Sequence, residues 1–94
     1  MARWEVVAWR DIPAMVEVRD EAGQLTLSLS DRFQALIDSV ATQLGLTDEG
    51  VYLEHWARLP GGERPGAARE VGEAVVAELE ARFPEYIARA FRPS

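Results

Sequence analysis

Hydrophobic and polar residues alternate along the first third of the chain, a pattern that predicts three β-strands. The first strand is predicted at residues 3–9, which are rich in valine and tryptophan. Residues 14–29 are predicted to form a β-hairpin, because two alternating stretches flank a segment of turn composition at residues 20–23. Pro13 lacks a backbone N–H and predicts a turn or bulge between the first and second strands.

A helical period replaces the alternation after Ser30. Apolar residues then recur three and four positions apart, at Phe33, Leu36, Ile37, Val40, Ala41 and Leu44. Ser30 is predicted to cap the N-terminus of this helix, and Gly45 is predicted to end it in a left-handed conformation. A second helix is predicted from about residue 67 to residue 82, and a short helix is predicted to begin at Pro84.

Residues 50–58 fit two structures. Their alternation and their aromatic residues favour a fourth strand, whereas residues 47–49 are also an acceptable start for a helix. Residues 60–66 are rich in proline and glycine and predict a loop. The expected fold is α+β: a mostly antiparallel sheet of three to four strands, two main helices and a short C-terminal helix, in the order β-β-β-α-β-α-α. The 94 residues are expected to form a single domain, 1–94.

Composition excludes several classes of function. The chain has 16 acidic and 10 basic residues, a net charge of −6, and no concentrated positive segment, which disfavours binding to nucleic acids or to anionic membranes. The absence of cysteine excludes thiolate chemistry, and a single histidine excludes two-histidine metal sites, so we expect no metal and no cofactor. No secretion signal and no bilayer-spanning apolar run is evident, and we therefore expect a cytoplasmic protein.

The first candidate site is the segment Trp9, Arg10 and Asp11, which lies just before Pro13. An arginine can bind a carboxylate or phosphate group through two parallel hydrogen bonds, and a neighbouring tryptophan can shield that contact from water. The alternative is structural: Arg10 would form an internal ion pair, and Trp9 would belong to the core.

The second candidate site depends on the strand predicted at residues 50–58. In a strand, Tyr52, Glu54, Trp56 and Arg58 would share one face and form an amphipathic aromatic surface suited to ligand or protein contacts. His55 would then lie on the opposite face among apolar residues, which disfavours a catalytic role. An enzyme would have to use Asp11, Glu54 or His55 for proton transfer, and we predict no catalytic residue.

Four segments of the chain resemble the small bacterial "virulence factor" domain family, whose members occur alone or at the end of HEAT-repeat conserved virulence factors. They are Trp-Arg-Asp-Ile-Pro-Ala at residues 9–14, Asp-Arg-Phe-Gln at residues 31–34, Tyr-Leu-Glu-His-Trp-Ala-Arg at residues 52–58, and the helix at residues 70–80. The resemblance covers nearly the whole chain, and its first segment is the most specific. It implies an accessory role in one-carbon metabolism, because stand-alone members can be encoded near genes for folate-dependent and corrinoid-dependent methyl transfer.

Two functions are therefore expected. The first is a non-enzymatic interaction or assembly domain that binds a protein partner or self-associates as a homo-oligomer, because three tryptophans and two tyrosines are many for so small a core. The alternative is a small-molecule-binding accessory protein of folate or corrinoid methyl-transfer metabolism. In that protein Trp9, Arg10 and Arg58 would hold an anionic group.

Overall fold

One four-stranded antiparallel sheet and four helices make up the computed structural model, which describes residues 1–46 and 48–91. In chain order the elements are β1 (Ala2–Trp9), β2 (Ile12–Asp20), β3 (Gly23–Ser28), α1 (Asp31–Leu44), α2 (Glu49–Glu54), β4 (Trp56–Arg64), α3 (Ala68–Ala81) and α4 (Phe83–Ala90). The strand order in the sheet is β3-β2-β1-β4. The predicted α+β class is confirmed, with one more short helix than expected. No helix within the described residues is long and apolar enough to cross a bilayer.

The β1–β2 hairpin contains the irregularity that Pro13 predicts. Val7 pairs with Met15, but Ala8 pairs with Pro13, so Ala14 is left without a partner in a β-bulge. Beyond the bulge, Trp9 pairs with Ile12, and the two strands are joined by a two-residue turn.

Two hydrophobic clusters hold the helices to the sheet. Helix α3 packs on the sheet through a cluster of Ala2, Val16, Val18, Ala68, Val71 and Val75. Gly72 permits this close approach, because a Cβ atom there would lie only 2.7 Å from the Leu27 side chain. The second cluster joins the end of the β1–β2 hairpin to α1 and α4, and its buried members are Trp9, Ile12, Leu29, Phe33, Leu36, Ile37, Val40, Ala41 and Tyr86.

Helix α1 has the predicted bounds, but its N-terminus is stabilised differently from the prediction. Ser30 occupies the N-cap position without a side-chain cap, and its backbone N–H and its hydroxyl donate to Glu80 at 2.6 and 2.8 Å. Partial burial raises the pKa of Glu80, but the hydrogen bonds from Ser30 and Arg32 outweigh it and hold that pKa below its ordinary value. At the other end Gly45 adopts the predicted left-handed conformation, with a φ of 73°.

The prediction of a strand at residues 50–58 is wrong for residues 50–54. Residues Glu49–Glu54 form α2, and the Asp48 side chain caps its start by accepting the N–H of Gly50 at 3.1 Å. The strand begins only at Trp56. Thr47, the first residue of the alternative helix start, lies outside the described residues.

The prediction of a loop at residues 60–66 is wrong for residues 60–64, because these residues belong to β4, which pairs with β1. Its glycines serve the close approach of Trp4: a Cβ atom on Gly61 would overlap the Trp4 carbonyl oxygen, and one on Gly62 would lie 3.0 Å from the Trp4 ring. The ladder between β1 and β4 shifts register beside Gly61. Glycines that predict a loop here mark a bulge inside a strand.

Candidate interaction surface

The aromatic residues of both candidate sites meet at the end of the β1–β2 hairpin. Trp9 is fully buried, and its indole N–H donates to the Tyr52 carbonyl oxygen at 2.8 Å. The ring of Trp9 stacks on that of Tyr52 at 5.5 Å and contacts His55 edge-on at the same distance. Trp56 packs edge-on against Tyr52 at 6.1 Å. This cluster fastens α2 and the start of β4 to the hairpin, so Trp9 acts as a core residue.

The turn of the hairpin is held by main-chain geometry. Arg10 has a φ of 58°, which is unusual for a residue other than glycine, and its N–H donates to the carbonyl oxygen of His55 at 2.8 Å. The neighbouring ion pair joins Asp11 to Arg89 of α4, with 3.7 Å between Oδ2 and Nη1. Arg10 and Asp11 are both exposed. In the part of the chain that the structure describes, Arg10 forms no ion pair of the kind that the structural alternative required.

The four residues expected on one strand face are separated. Tyr52 and Glu54 lie on α2, whereas Trp56 and Arg58 lie on β4 opposite Trp9 and Val7. The helical turn before Trp56 breaks the alternation that would have aligned the side chains. Glu54 is exposed. Among residues 1–46 and 48–91, no three acidic or histidine side chains are grouped closely enough to hold a metal ion.

A larger polar surface lies on the sheet face opposite the side that α3 covers. We call it the outer face, and its residues form three rows across β3, β2, β1 and β4: Ser28, Met15, Val7 and Arg58; Thr26, Glu17, Glu5 and Pro60; and Gln24, Arg19, Arg3 and Glu63. None of these residues is buried, whereas Val16 and Val18, which alternate with them, are fully covered by α3 and its neighbours. The outer face is therefore open to solvent.

The outer face carries equal numbers of acidic and basic residues, but only some of them form ion pairs with each other. Arg58 reaches across β1 and donates from Nη1 to Glu17 Oε1 at 2.7 Å, and this hydrogen bond holds the pKa of Glu17 below its ordinary value. Arg3 pairs with Glu63, with 3.0 Å from Nε to Oε1. Like charges face each other in the ladder, Glu5 opposite Glu17 and Arg3 opposite Arg19.

Glu5 and Arg19 make no ion pair with any described residue. They carry opposite charges and lie on adjacent strands of the outer face. Surface charges of this kind are available to an oppositely charged partner.

A groove of about 410 Å³ runs along the β4 side of the outer face. Its walls are Arg3, Trp4, Glu5, Arg58, Pro60, Gly61, Gly62 and Glu63. Arg58 is the only one of the predicted site residues that lines it. The guanidinium groups of Arg3 and Arg58 are already paired with carboxylates there.

The edge of the sheet at β3 is the second open feature. Leu29 donates its N–H to Ala14 at 3.0 Å, in the same register as the β2–β3 ladder. Because hydrogen-bonded residues alternate in an antiparallel pair, Leu25 and Leu27 direct their main-chain groups toward β2. The N–H and C=O groups that point away from the sheet are those of Gln24, Thr26 and Ser28, and all three residues are exposed.

The alternation along the three N-terminal strands is evident in the sequence, but the outer face and the β3 edge were not predicted from it. The row that contains Glu5 and Glu17, and the edge position of Thr26, follow from the strand order β3-β2-β1-β4. The signal in the sequence for the outer face was the two-residue spacing of its members within a strand. This spacing relates Arg3 to Glu5 in β1, and Met15 to Glu17 and Arg19 in β2.

A sequence model of the virulence factor family matches residues 7–89. The chain belongs to the virulence factor family. The match takes in the hairpin turn, the aromatic cluster, the end of β1 from Val7 and the whole of β2, β3 and β4, and it confirms the resemblance carried by the segment at residues 9–14. A search of curated proteins and a search of solved structures each found no match.

Proposed function

We propose that this virulence factor domain is a non-enzymatic interaction domain that binds other protein chains through the outer face and the β3 edge of its sheet. The observation that carries the proposal is the openness of both features. No residue of the three outer-face rows is buried, and no strand among the described residues lies beside the outward main-chain groups of Gln24, Thr26 and Ser28.

The chemistry of the outer face suits a protein partner. It carries three arginines and three glutamates around Val7 and Met15. Protein interfaces typically have an apolar centre and a polar rim, and a few apolar side chains surrounded by charged residues match this arrangement. Glu5 and Arg19, which form no ion pair with a described residue, supply the charges that would select a partner and orient it.

Photo-crosslinking in the cells that produce the protein tests this function. A photoreactive residue replaces Gln24 at the β3 edge or, as the matched control, Gln43 on the exposed side of α1. We expect discrete crosslinked protein species from position 24 that are absent or much weaker at position 43. Equal and diffuse crosslinking at the two positions would count against an interaction domain that uses the sheet.

The small-molecule alternative has the groove beside β4 in its favour, because about 410 Å³ is within the usual range of ligand sites. Of Trp9, Arg10 and Arg58, only Arg58 lines this groove, and it would have to leave Glu17 to bind an anion. Calorimetric titration with a short poly-glutamate, which imitates a folate tail, tests the alternative. Binding that disappears in Arg58→Ala and persists in Arg10→Ala would support the groove as the anion site.

A further inference from the structure

We propose that the β3 edge binds the β3 edge of a second copy of this chain, so that two sheets join into one continuous sheet across a two-fold axis at Thr26. The inference rests on the proposed function and names the partner of the same surface. Three observations carry it: the two edges of the sheet differ, the β3 edge is uncharged, and its sequence is self-complementary.

The edge formed by β4 is protected against strand addition. Pro60 has no N–H to donate, the ladder shifts register beside Gly61, and charged side chains stand at Arg58, Glu63 and Arg64. Proline, bulges and charges are the features by which natural sheets block pairing at an exposed edge. The β4 edge is therefore a poor site for the addition of another strand.

The β3 edge lacks all of these features. Its six residues, Gly23–Ser28, contain no charge and no proline, and its ladder with β2 has no bulge. A chain with a net charge of −6 repels its own copies, so an uncharged edge is where two copies meet with the least repulsion.

The strand Gln-Leu-Thr-Leu-Ser at residues 24–28 is symmetric in character about Thr26. When two such strands run antiparallel about that residue, Thr26 faces Thr26 of the second copy and Gln24 faces Ser28. The outward N–H and C=O groups belong to these same three residues, so each N–H meets a C=O. Hydrogen-bonding potential is satisfied along the whole strand.

The same register also matches the apolar side. Leu25 of one copy faces Leu27 of the other on the face that packs against α3, and both leucines are only half-buried in the single chain. A second copy would extend the apolar layer past the edge and cover them. Cross-strand pairs of large apolar side chains stabilise antiparallel sheets. A two-fold contact of this kind is closed, and therefore yields a dimer and not a filament.

Sedimentation velocity of the purified full chain across a dilution series tests the proposal. We expect a dimer with twice the 10.5 kDa mass of one chain, and we expect its fraction to increase with salt, because salt screens the repulsion between like-charged copies. A chain that remains monomeric throughout the series would overturn the inference.

Residue 26 offers a sharper test because it faces itself across the axis. Thr26→Lys and Thr26→Glu should each be monomeric, since like charges would meet, and an equimolar mixture of the two should form a heterodimer. Thr42→Lys on the exposed side of α1 is the control and should dimerise like the natural chain. Amide exchange at neighbouring residues shows whether each variant keeps its fold. A dimer that survives both single variants would place the contact elsewhere and refute this inference.

The proposed function fails separately from this inference. If the purified chain is monomeric but position 24 still crosslinks to a different protein in cells, the interaction function stands and the second copy is excluded as its occupant. If neither position crosslinks to any protein and the chain is monomeric, both proposals fail.

Discussion

The Oδ2 atom of Asp20 accepts the backbone N–H of Ala68 at 2.7 Å, and this contact ties the β2–β3 turn to the first residue of α3. Oδ1 of the same carboxylate accepts the N–H groups of Ala22 and Gly23 at 2.8 and 3.0 Å. Ala67 occupies the N-cap position of α3 and has no side-chain acceptor of its own. Asp20 thus supplies the cap from a distant part of the chain and closes the hairpin with the same group.

Replacing Asp20 by asparagine should lower the free energy of unfolding at neutral pH. Asparagine offers one acceptor oxygen in place of two, so it cannot close the turn and cap α3 together. Urea unfolding of the variant beside the natural chain measures the loss. Glu21→Gln is the control, because Glu21 is an exposed carboxylate in the same turn, and its side chain accepts from the N-terminal amine and makes no hydrogen bond to α3 among the described residues.

The effect of Asp20 should depend on pH in a defined direction. The hydrogen bond from Ala68, followed by that from Ala22, holds the pKa of Asp20 below its ordinary value. Stabilisation by its ionised form is therefore complete above the pKa of aspartate in the unfolded chain and is lost as the pH falls through the lower folded-state pKa. The difference between the natural chain and Asp20→Asn should shrink in acid, and a difference that grew in acid would contradict the assignment.

Arg10 should be replaceable by glycine with a gain in stability. Its φ of 58° is unfavourable for a residue with a Cβ atom, by roughly 1 kcal/mol, and glycine removes that penalty. The N–H that donates to His55 is retained in the variant. Thermal unfolding should show a higher midpoint for Arg10→Gly than for the natural chain.

Arg10→Val provides the opposite test at the same position. A β-branched residue tolerates positive φ least, so this variant should unfold at a lower temperature than the natural chain. If glycine also lowered the midpoint, the guanidinium group of Arg10 would be contributing to stability, as the ion-pair interpretation of the sequence required.

The elements predicted correctly are those specified by neighbouring residues. Helix α1 has the expected bounds because its apolar spacing and the left-handed Gly45 act within a few residues of one another. The bulge at Ala14 follows in the same way from Pro13. Trp9 could be assigned to the core as one of two alternatives from sequence, since a tryptophan among strand residues fits that role.

The features that sequence did not predict depend on residues far apart in the chain. The two adjacent glycines of β4 predict a loop when only their neighbours in sequence are considered. Their role depends on the contact with Trp4, which precedes Gly61 by more than half of the chain. Glu80 likewise accepts the N–H and the hydroxyl of Ser30, whose side chain therefore does not form the cap expected from the sequence. Strand partners and long-range caps are not encoded in local spacing, and this is why the outer face also remained hidden.

Gly61→Ala should destabilise the protein markedly. The added methyl group would overlap the carbonyl oxygen of Trp4, which belongs to the backbone of the neighbouring strand and cannot move away without opening the ladder. Overpacking of this kind typically costs about 1–3 kcal/mol. Urea unfolding measures the change, together with amide exchange in β1 and β4.

Gly50→Ala is the matched control for this substitution. In α2 the new Cβ atom would meet only Asp48 Oδ1 at an ordinary 3.5 Å, and alanine favours helix over glycine by about 1 kcal/mol. The variant should therefore be as stable as the natural chain or more stable. Equal destabilisation by the two substitutions would argue against a specific contact between Gly61 and Trp4.

Arg58→Gln should raise the pKa of Glu17. The hydrogen bond and the positive charge of Arg58 favour the ionised carboxylate of Glu17, and Glu5, which faces Glu17 across the ladder, would disfavour it once Arg58 is gone. Carboxyl-carbon NMR titration of Glu17 measures the shift directly. Arg3→Gln is the control on the same face, because Arg3 pairs with Glu63 and should leave the Glu17 titration unchanged. An unchanged pKa in Arg58→Gln would mean that Arg58 does not hold Glu17 in solution and stands free for a partner on the outer face.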